Sequence, residues 1–389
     1  MVLLKLLLPV LFITFAFGEL LRIQFPNSIG LGLIDLVVFF IFLVWIIFIK
    51  KTKYQLFKPL VLFTSIAGVS LLLNVKNFES QQALVSSLYL IRFILYTSLY
   101  FVFADIGKQF GEKTKKYMLV SGLMILIIGL LQYFLYPSLK NLYYLGWDEH
   151  MYRLFSTFMD PNFAGVILVL FFVFFFILRD KILPDKKHLS YGILILNFVG
   201  IVLTYSRGAL LMFASSVFIY SVITKQWKII GGTIILFVLL FIALSPWYYI
   251  ENTNLLRTFS TKERIKTSEQ ALKIFKENPL GVGFNTYRYA REKYGDRDKS
   301  LFGPSHAGAG VDNSFILVLV TTGIPGLIAY VYLLFKMFKL GFSKIDNRYG
   351  LVLVVSLFGL MVNALFLNSL FYSFVMIWVW ILAGLTERS

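Results

Sequence analysis

The chain has 389 residues, of which 58% are hydrophobic, 18% aromatic and only 15% charged, with a mean hydropathy of +0.78. Soluble domains carry about 45–50% apolar and about 25% charged residues, so this composition excludes a soluble enzyme, a disordered chain and a nucleic-acid-binding domain. The net charge of +17 sits in short loops between long apolar runs, where it acts as a topology signal.

A helix needs about 20 apolar residues to cross the hydrocarbon core. Twelve stretches qualify, at 1–17, 29–49, 58–74, 83–104, 116–136, 162–178, 189–205, 208–224, 229–245, 313–335, 349–365 and 367–385. The first, with Lys5 and no small-x-small cleavage site, reads as a retained helix rather than a signal peptide. Two runs too long for one span are divided by turns, at Ser206-Arg207 and near Asn363–Asn368. The expected fold is all-α and polytopic, with 1–245 as nine spans, 246–312 as a long polar loop and 313–389 as three more spans.

Alternate loops are basic. Residues 50–58, 105–116, 179–188, 225–228 and 336–348 carry net charges of +4, +2, +2, +2 and +3, while 137–161 is near −1. The positive-inside rule makes the basic set cytoplasmic, with both termini. The 67-residue loop 246–312 then lies outside, and its eleven Lys/Arg against eight Asp/Glu do not conflict, because long loops translocate largely regardless of charge. Within it, 260–277 has amphipathic helical spacing, with Ile265, Leu272 and Phe275 on one face, and suits a membrane surface.

Charges inside spans are costly, which singles out Asp35 and Arg92. Each either serves a polar cavity or pairs for structure. The turn Thr204-Tyr205-Ser206-Arg207-Gly208-Ala209 places an arginine at the outer face, where its planar fork suits a phosphate and also suits a plain interfacial anchor. In RLFSTFMDPNFA (153–164), Asp160-Pro161-Asn162 marks a helix start, and Arg153 adds a second possible phosphate ligand. Arg264 lies in the amphipathic stretch, which ends at Glu277-Asn278-Pro279 before Leu280-Gly281-Val282-Gly283-Phe284; the two glycines read as close packing. His306 and Asp312-Asn313-Ser314 close the loop. The latter three are good helix caps, and His306 is the loop's one histidine. The tenth span is broken at Thr321-Thr322-Gly323-Ile324-Pro325-Gly326, which is tolerated at membrane depth only against protein or a wet cavity. The expectation is a bend around an internal site that opens outward. The chain has no cysteine and three histidines, which argues against a metal centre and leaves no cysteine nucleophile.

Four segments in order, RLFSTFMDPNFA, TYSRGALL, Arg264 ahead of NPLGVGF, and DNSFILVLVTTGIPGLI, resemble the O-antigen ligase and O-antigen polymerase superfamily of bacterial envelope proteins. The resemblance spans about 150–330. It implies a membrane-embedded, GT-C-like glycosyltransferase of the bacterial cytoplasmic membrane that needs no metal or other cofactor. Its partners would be a polyprenyl-diphosphate-linked oligosaccharide donor, a glycan or lipid-core acceptor, and the bilayer. It implies Arg207 and Arg264 as holders of the diphosphate, to which the residue reading adds Arg153. A base is also needed: Asp312 has the family position and His306 a pKa nearer neutrality, and the residues themselves add Arg92, Asn162 and Asn313 as supporting candidates. In the ligase branch a histidine precedes the asparagine of the last motif; here Asp312 stands in that place, which is similar to the polymerase members. A polymerase is therefore the expectation, a ligase acting on a lipid A-core or protein acceptor the alternative. A transporter or flippase of lipid-linked sugars, or a scaffold without chemistry, stand as rivals from other classes.

Overall fold

The computed structural model describes residues 2–24, 30–48, 53–244, 253–255, 259–293 and 310–388. Thirteen helices lie among them: α1 Val2–Phe17, α2 Leu33–Phe48, α3 Phe57–Asn74, α4 Ser80–Leu135, α5 Pro161–Ile182, α6 Lys187–Leu203, α7 Arg207–Thr224, α8 Trp227–Leu244, α9 Phe259–Glu277, α10 Tyr287–Lys293, α11 Ser314–Ser343, α12 Arg348–Ala364 and α13 Ser373–Arg388. A short antiparallel ladder, β1 (Arg22–Gln24) with β2 (Gly30–Gly32), pairs Ile23 with Leu31. Seven helical stretches are long and apolar enough to cross a bilayer, and four more are shorter apolar helices. The chain is thus a polytopic, mostly α-helical membrane protein. A helix falls on each of the twelve expected stretches, but only these seven reach a full crossing length.

The fourth and fifth expected spans differ from the sequence reading. The connection at 105–116 holds no proline, and the whole of Ser80–Leu135 is helical for 56 residues. A straight helix of that length would measure about 84 Å. Its two arms instead pass α13 in opposite directions. Tyr96 meets Ser373 at the start of α13, and the Tyr100 hydroxyl bonds Glu387 at its end (3.0 Å). On the returning arm, Glu112 lies near Tyr349, whose carbonyl accepts from Thr386 of late α13 (3.3 Å). Farther along, the Ile125 carbonyl accepts from Ser156 (2.7 Å), close to the Phe158–Phe374 ring pair at the start of α13. Between the arms, Asp105 accepts from Trp45 Nε1 (2.8 Å) and the Tyr54 hydroxyl (2.6 Å).

α5 is the central helix. It is apolar all round, so it is buried all round, with fourteen of its 22 residues inside. α4, α6, α7, α12 and α13 pack about it. The ends of these helices on the side of the long loop form the loop face.

α11 is broken where the sequence places the break. Gly323 has φ 69° and ψ −173°, about 14 Å in from Ser314. A carbonyl freed at that depth costs several kcal/mol if left alone. The loop supplies the partners: Val282 N–H donates to the Val320 carbonyl and Gly283 N–H to that of Thr321, both at 3.0 Å. Ser70 of α3 also donates to Thr321 (2.8 Å), and Asn74 donates to the Gly281 carbonyl (3.1 Å). The break is therefore filled by Leu280–Phe284 rather than opening onto a cavity, a correction to the expectation. Glycine is what permits it: a Cβ on Gly281 (φ 88°) would lie 2.6 Å from the Thr321 oxygen, and one on Gly323 2.6 Å from the Leu280 carbonyl carbon.

Gly281→Ala and Gly323→Ala should each lower stability by about 2 kcal/mol or more, because each combines left-handed backbone strain with a backbone clash. Thermal unfolding in detergent checks this. Gly192→Ala is the control, since its added Cβ meets nothing within 4 Å; equal melting of all three variants and the parent would contradict the interlock.

Candidate functional site: arginines and carboxylates at the loop face

Three helix starts build the site. α5 begins at Asp160, whose Oδ1 accepts from the Asn162 and Phe163 amides (2.6 and 3.4 Å), with Pro161 at the first helical position. α7 begins at Arg207, capped by Ser206, whose hydroxyl accepts from Ala209 N–H (3.3 Å). α11 begins after Asn313, whose Oδ1 accepts from Phe315 and Ile316 (2.9 and 3.0 Å). Helix starts favour negative charge through their unpaired N–H groups and dipoles.

Arg153 ties the first two starts together. It is 5% exposed, and its Nε donates to the Thr204 carbonyl (2.8 Å) while Nη2 reaches Asn162 Oδ1 (3.3 Å). Ser206 donates to the same Asn162 oxygen (3.1 Å). The crossing is close, since a Cβ on Gly165 would lie 2.6 Å from that of Ala209. Arg153 and Asn162 thus fix the turn that presents Arg207.

Arg264 comes from α9, which lies along the first half of α11. Ala271 and Ile274 are fully buried there with Val311 and Val320, and Phe275 packs beside them. The expected apolar face is therefore only partly the one that packs: Ile265 and Leu272 point outward, in a stripe with the exposed Lys262, Lys266, Lys273 and Lys276. Arg264 Nε stands 3.7 Å from Asp312 Oδ2, with side-chain exposures of 24% and 42%. Arg207 lies within electrostatic reach of Arg264, and Asp160 within reach of Asp312. Burial raises the Asp312 carboxyl above its ordinary pKa; Arg264 pulls it back and Asp160 adds to the rise.

One expected residue, Arg92, is engaged in a separate ion pair, with Asp35 (2.8 Å), and donates to the Gly30 carbonyl (2.8 Å). Asp35 also accepts from the Tyr96 hydroxyl and from Gly32 N–H (2.8 Å). The two intramembrane charges seen in the sequence are thus partners, the structural alternative for both. His306 lies outside the described residues. Asn313 caps its helix and donates to the Leu365 carbonyl (3.1 Å).

Two residues near the site went unremarked as functional. Asp160, read as a cap, also contributes charge to the cluster. Asn363 is fully buried, with neither amide atom hydrogen-bonded to protein, and its Nδ2 would lie 3.0 Å from a Cβ on Gly208. An amide in the apolar run before the expected split was its sequence signal. Among the described residues, no group of three or more His, Cys, Asp or Glu could hold a metal.

Fold and site together define a multi-spanning membrane protein with a cationic and acidic cluster at the mouth of its helices. Residues 192–331 match the model of a family described as O-antigen ligase, so this part of the chain carries a domain of that family, in keeping with the ligase and polymerase superfamily. The match takes in Arg207, Arg264, Asp312 and the Gly323 break, and it favours the ligase alternative over the polymerase expected from Asp312. No curated protein matches the chain.

Arg153→Lys should cost about 1–2 kcal/mol, since an ammonium cannot span Thr204 and Asn162 together. Combined with Asn162→Ala in a double-mutant cycle of thermal stability, it should show a coupling of about 1 kcal/mol. Strict additivity would remove Arg153 as the clamp.

Proposed function

We propose that the protein is a membrane glycosyltransferase that moves oligosaccharide from a polyprenyl-diphosphate-linked donor to an acceptor hydroxyl at the outer face of the cytoplasmic membrane. The observation that carries this reading is that Arg207 comes within electrostatic reach of Arg264, 57 positions on in the chain, which itself stands 3.7 Å from Asp312, all inside the matched domain. The acceptor oxygen attacks the anomeric carbon, the carbon–oxygen bond to the diphosphate breaks, and the diphosphate leaves with the electron pair. Arg207 and Arg264 stabilise that charge without a metal. Asp312 takes the hydroxyl proton, a task its raised pKa suits; His306 remains the other candidate base.

The Arg264–Asp312 pair is long and partly exposed, so it is weak. A diphosphate can draw Arg264 away and leave Asp312 free to accept a proton. Arg153 and Asn162 position Arg207, Asn313 holds Asp312 at the start of α11, and Arg92 braces α4 against α2. The lysine stripe of α9, with Ile265 and Leu272, suits a helix resting on the headgroups. The positive-inside pattern puts both termini in the cytoplasm. Of the two transfer types, the ligase is supported by the family match; the polymerase is the second reading, supported by Asp312-Asn313.

The test is transfer in liposomes supplied with lipid-linked oligosaccharide, resolved on gels. Single transfer that depends on an added core acceptor marks a ligase, and a ladder of longer lipid-linked glycans a polymerase. Sugar that crosses the bilayer with no new glycosidic bond would overturn the enzyme reading. Arg207→Ala and Arg264→Ala should each lower kcat/KM roughly 100-fold or more. Activity should fall as pH drops and Asp312 gains its proton. In Arg264→Gln, the residual activity should fall at a higher pH than in the parent, because the charge that lowers the Asp312 pKa is gone. An unmoved acid limb would argue against Asp312 as the base.

A further inference from the structure

We propose that the groove between α7 and α8 holds the polyprenyl chain of the donor, an inference that rests on the lipid-diphosphate donor assigned above. The groove encloses about 570 Å³ and is lined by Ala214 and Phe218 of α7 and by Ile230, Ile234, Val238 and Ile242 of α8. Its one polar side chain, Thr233, spends its hydroxyl on the Ile229 carbonyl of its own helix (2.8 Å). The Phe213–Phe237 ring pair, 6.3 Å between centroids, joins the two helices beside it. The outer wall is open: Phe218, Ile234, Val238 and Ile242 are all at least half exposed. α8 packs chiefly on α7, and a Cβ on Gly231 or Gly232 would meet nothing within 4 Å.

What selects the occupant is position. α7 opens with Arg207 at the loop face, and Ala214 lies about two-fifths of the way along the same helix, about 10 Å below. On α8, running the other way, Ile242 is near the loop-face end and Ile230 about 18 Å deeper. On α7 the groove therefore starts about 10 Å beneath the arginine, and it descends from there along the bilayer. A lipid whose diphosphate meets Arg207 delivers its own chain there at high effective concentration. An ordinary phospholipid has no such tether. Bilayer tails are as apolar as the groove, so the gain comes from packing and tethering rather than from water release, and it is modest.

Two measurements test this. The first compares transfer from a full-length polyprenyl donor and from a geranyl donor bearing the same glycan, in the parent and in Ala214→Trp, which fills the groove on its lipid-facing side. The full-length donor should show KM raised roughly fivefold with kcat kept, the size that packing alone supports, while the geranyl donor shows no change. In the second, a photoreactive residue placed at Phe218 or Ile234 should crosslink the polyprenyl donor in preference to phospholipid. Equal effects on both donors, no effect on either, or crosslinks to phospholipid alone would overturn the inference. A parent inactive with both donors would count against the transferase itself, and the crosslink would still decide what the groove holds.

Discussion

Two backbone hydrogen bonds set the geometry of the loop face. Where α11 breaks, the carbonyls of Val320 and Thr321 are turned out of their ladder, and Val282 and Gly283 of the long loop donate to them. The arrangement works in both directions. The loop rescues a helix that lipid would not tolerate broken, and the helix gives the loop a fixed seat. α9 leaves that seat and runs along α11, so that Arg264 arrives beside Asp312 at the start of α11. The position of the arginine follows from the accommodation of the break, because the loop between them is pinned at Gly281–Gly283.

The second half of the site is built by a different device. Arg207 is aimed by the turn before α7, and that turn is clamped from beneath by Arg153 and Asn162. A buried guanidinium with carbonyl and amide acceptors is a rigid support; an exposed one beside a carboxylate is a mobile ligand. The chain contains both kinds, Arg153 buried and Arg264 partly exposed. Burial and hydrogen bonding distinguish them where sequence position does not.

Much of the fold was legible because membranes impose a simple rule on backbone polarity. The apolar runs, the break at Gly323 and the helix starts at Asp160 and Asn313 fall where composition and capping chemistry place them. What was not legible is of a single kind: which distant pieces touch. Asp35 and Arg92 were each costly and unexplained alone, and their pairing explains both. Gly281-Val282-Gly283 was read as packing without a partner; the partner is the broken helix itself. α9 carries apolar residues on two faces, and the one that packs is set by Ala271 and Ile274 rather than by Ile265 and Leu272, a choice fixed by the distant α11. The connection at 105–116 holds no proline, and its lysines and glutamate are helix formers, so Ser80–Leu135 stays helical on both sides of the point where its arms turn back along α13.

The central claim is that Arg207 and Arg264 grip one diphosphate between them. Its most direct test is calorimetric titration of polyprenyl diphosphate, without sugar, into the protein in nanodiscs, for the parent, Arg207→Ala, Arg264→Ala and the double variant. Charge-assisted bonds of about 1.5–3 kcal/mol each predict a loss of roughly tenfold or more in Kd for either single variant. Shared contact with one ligand also predicts non-additive losses in the double variant. Parent-like affinity in both single variants would contradict the account.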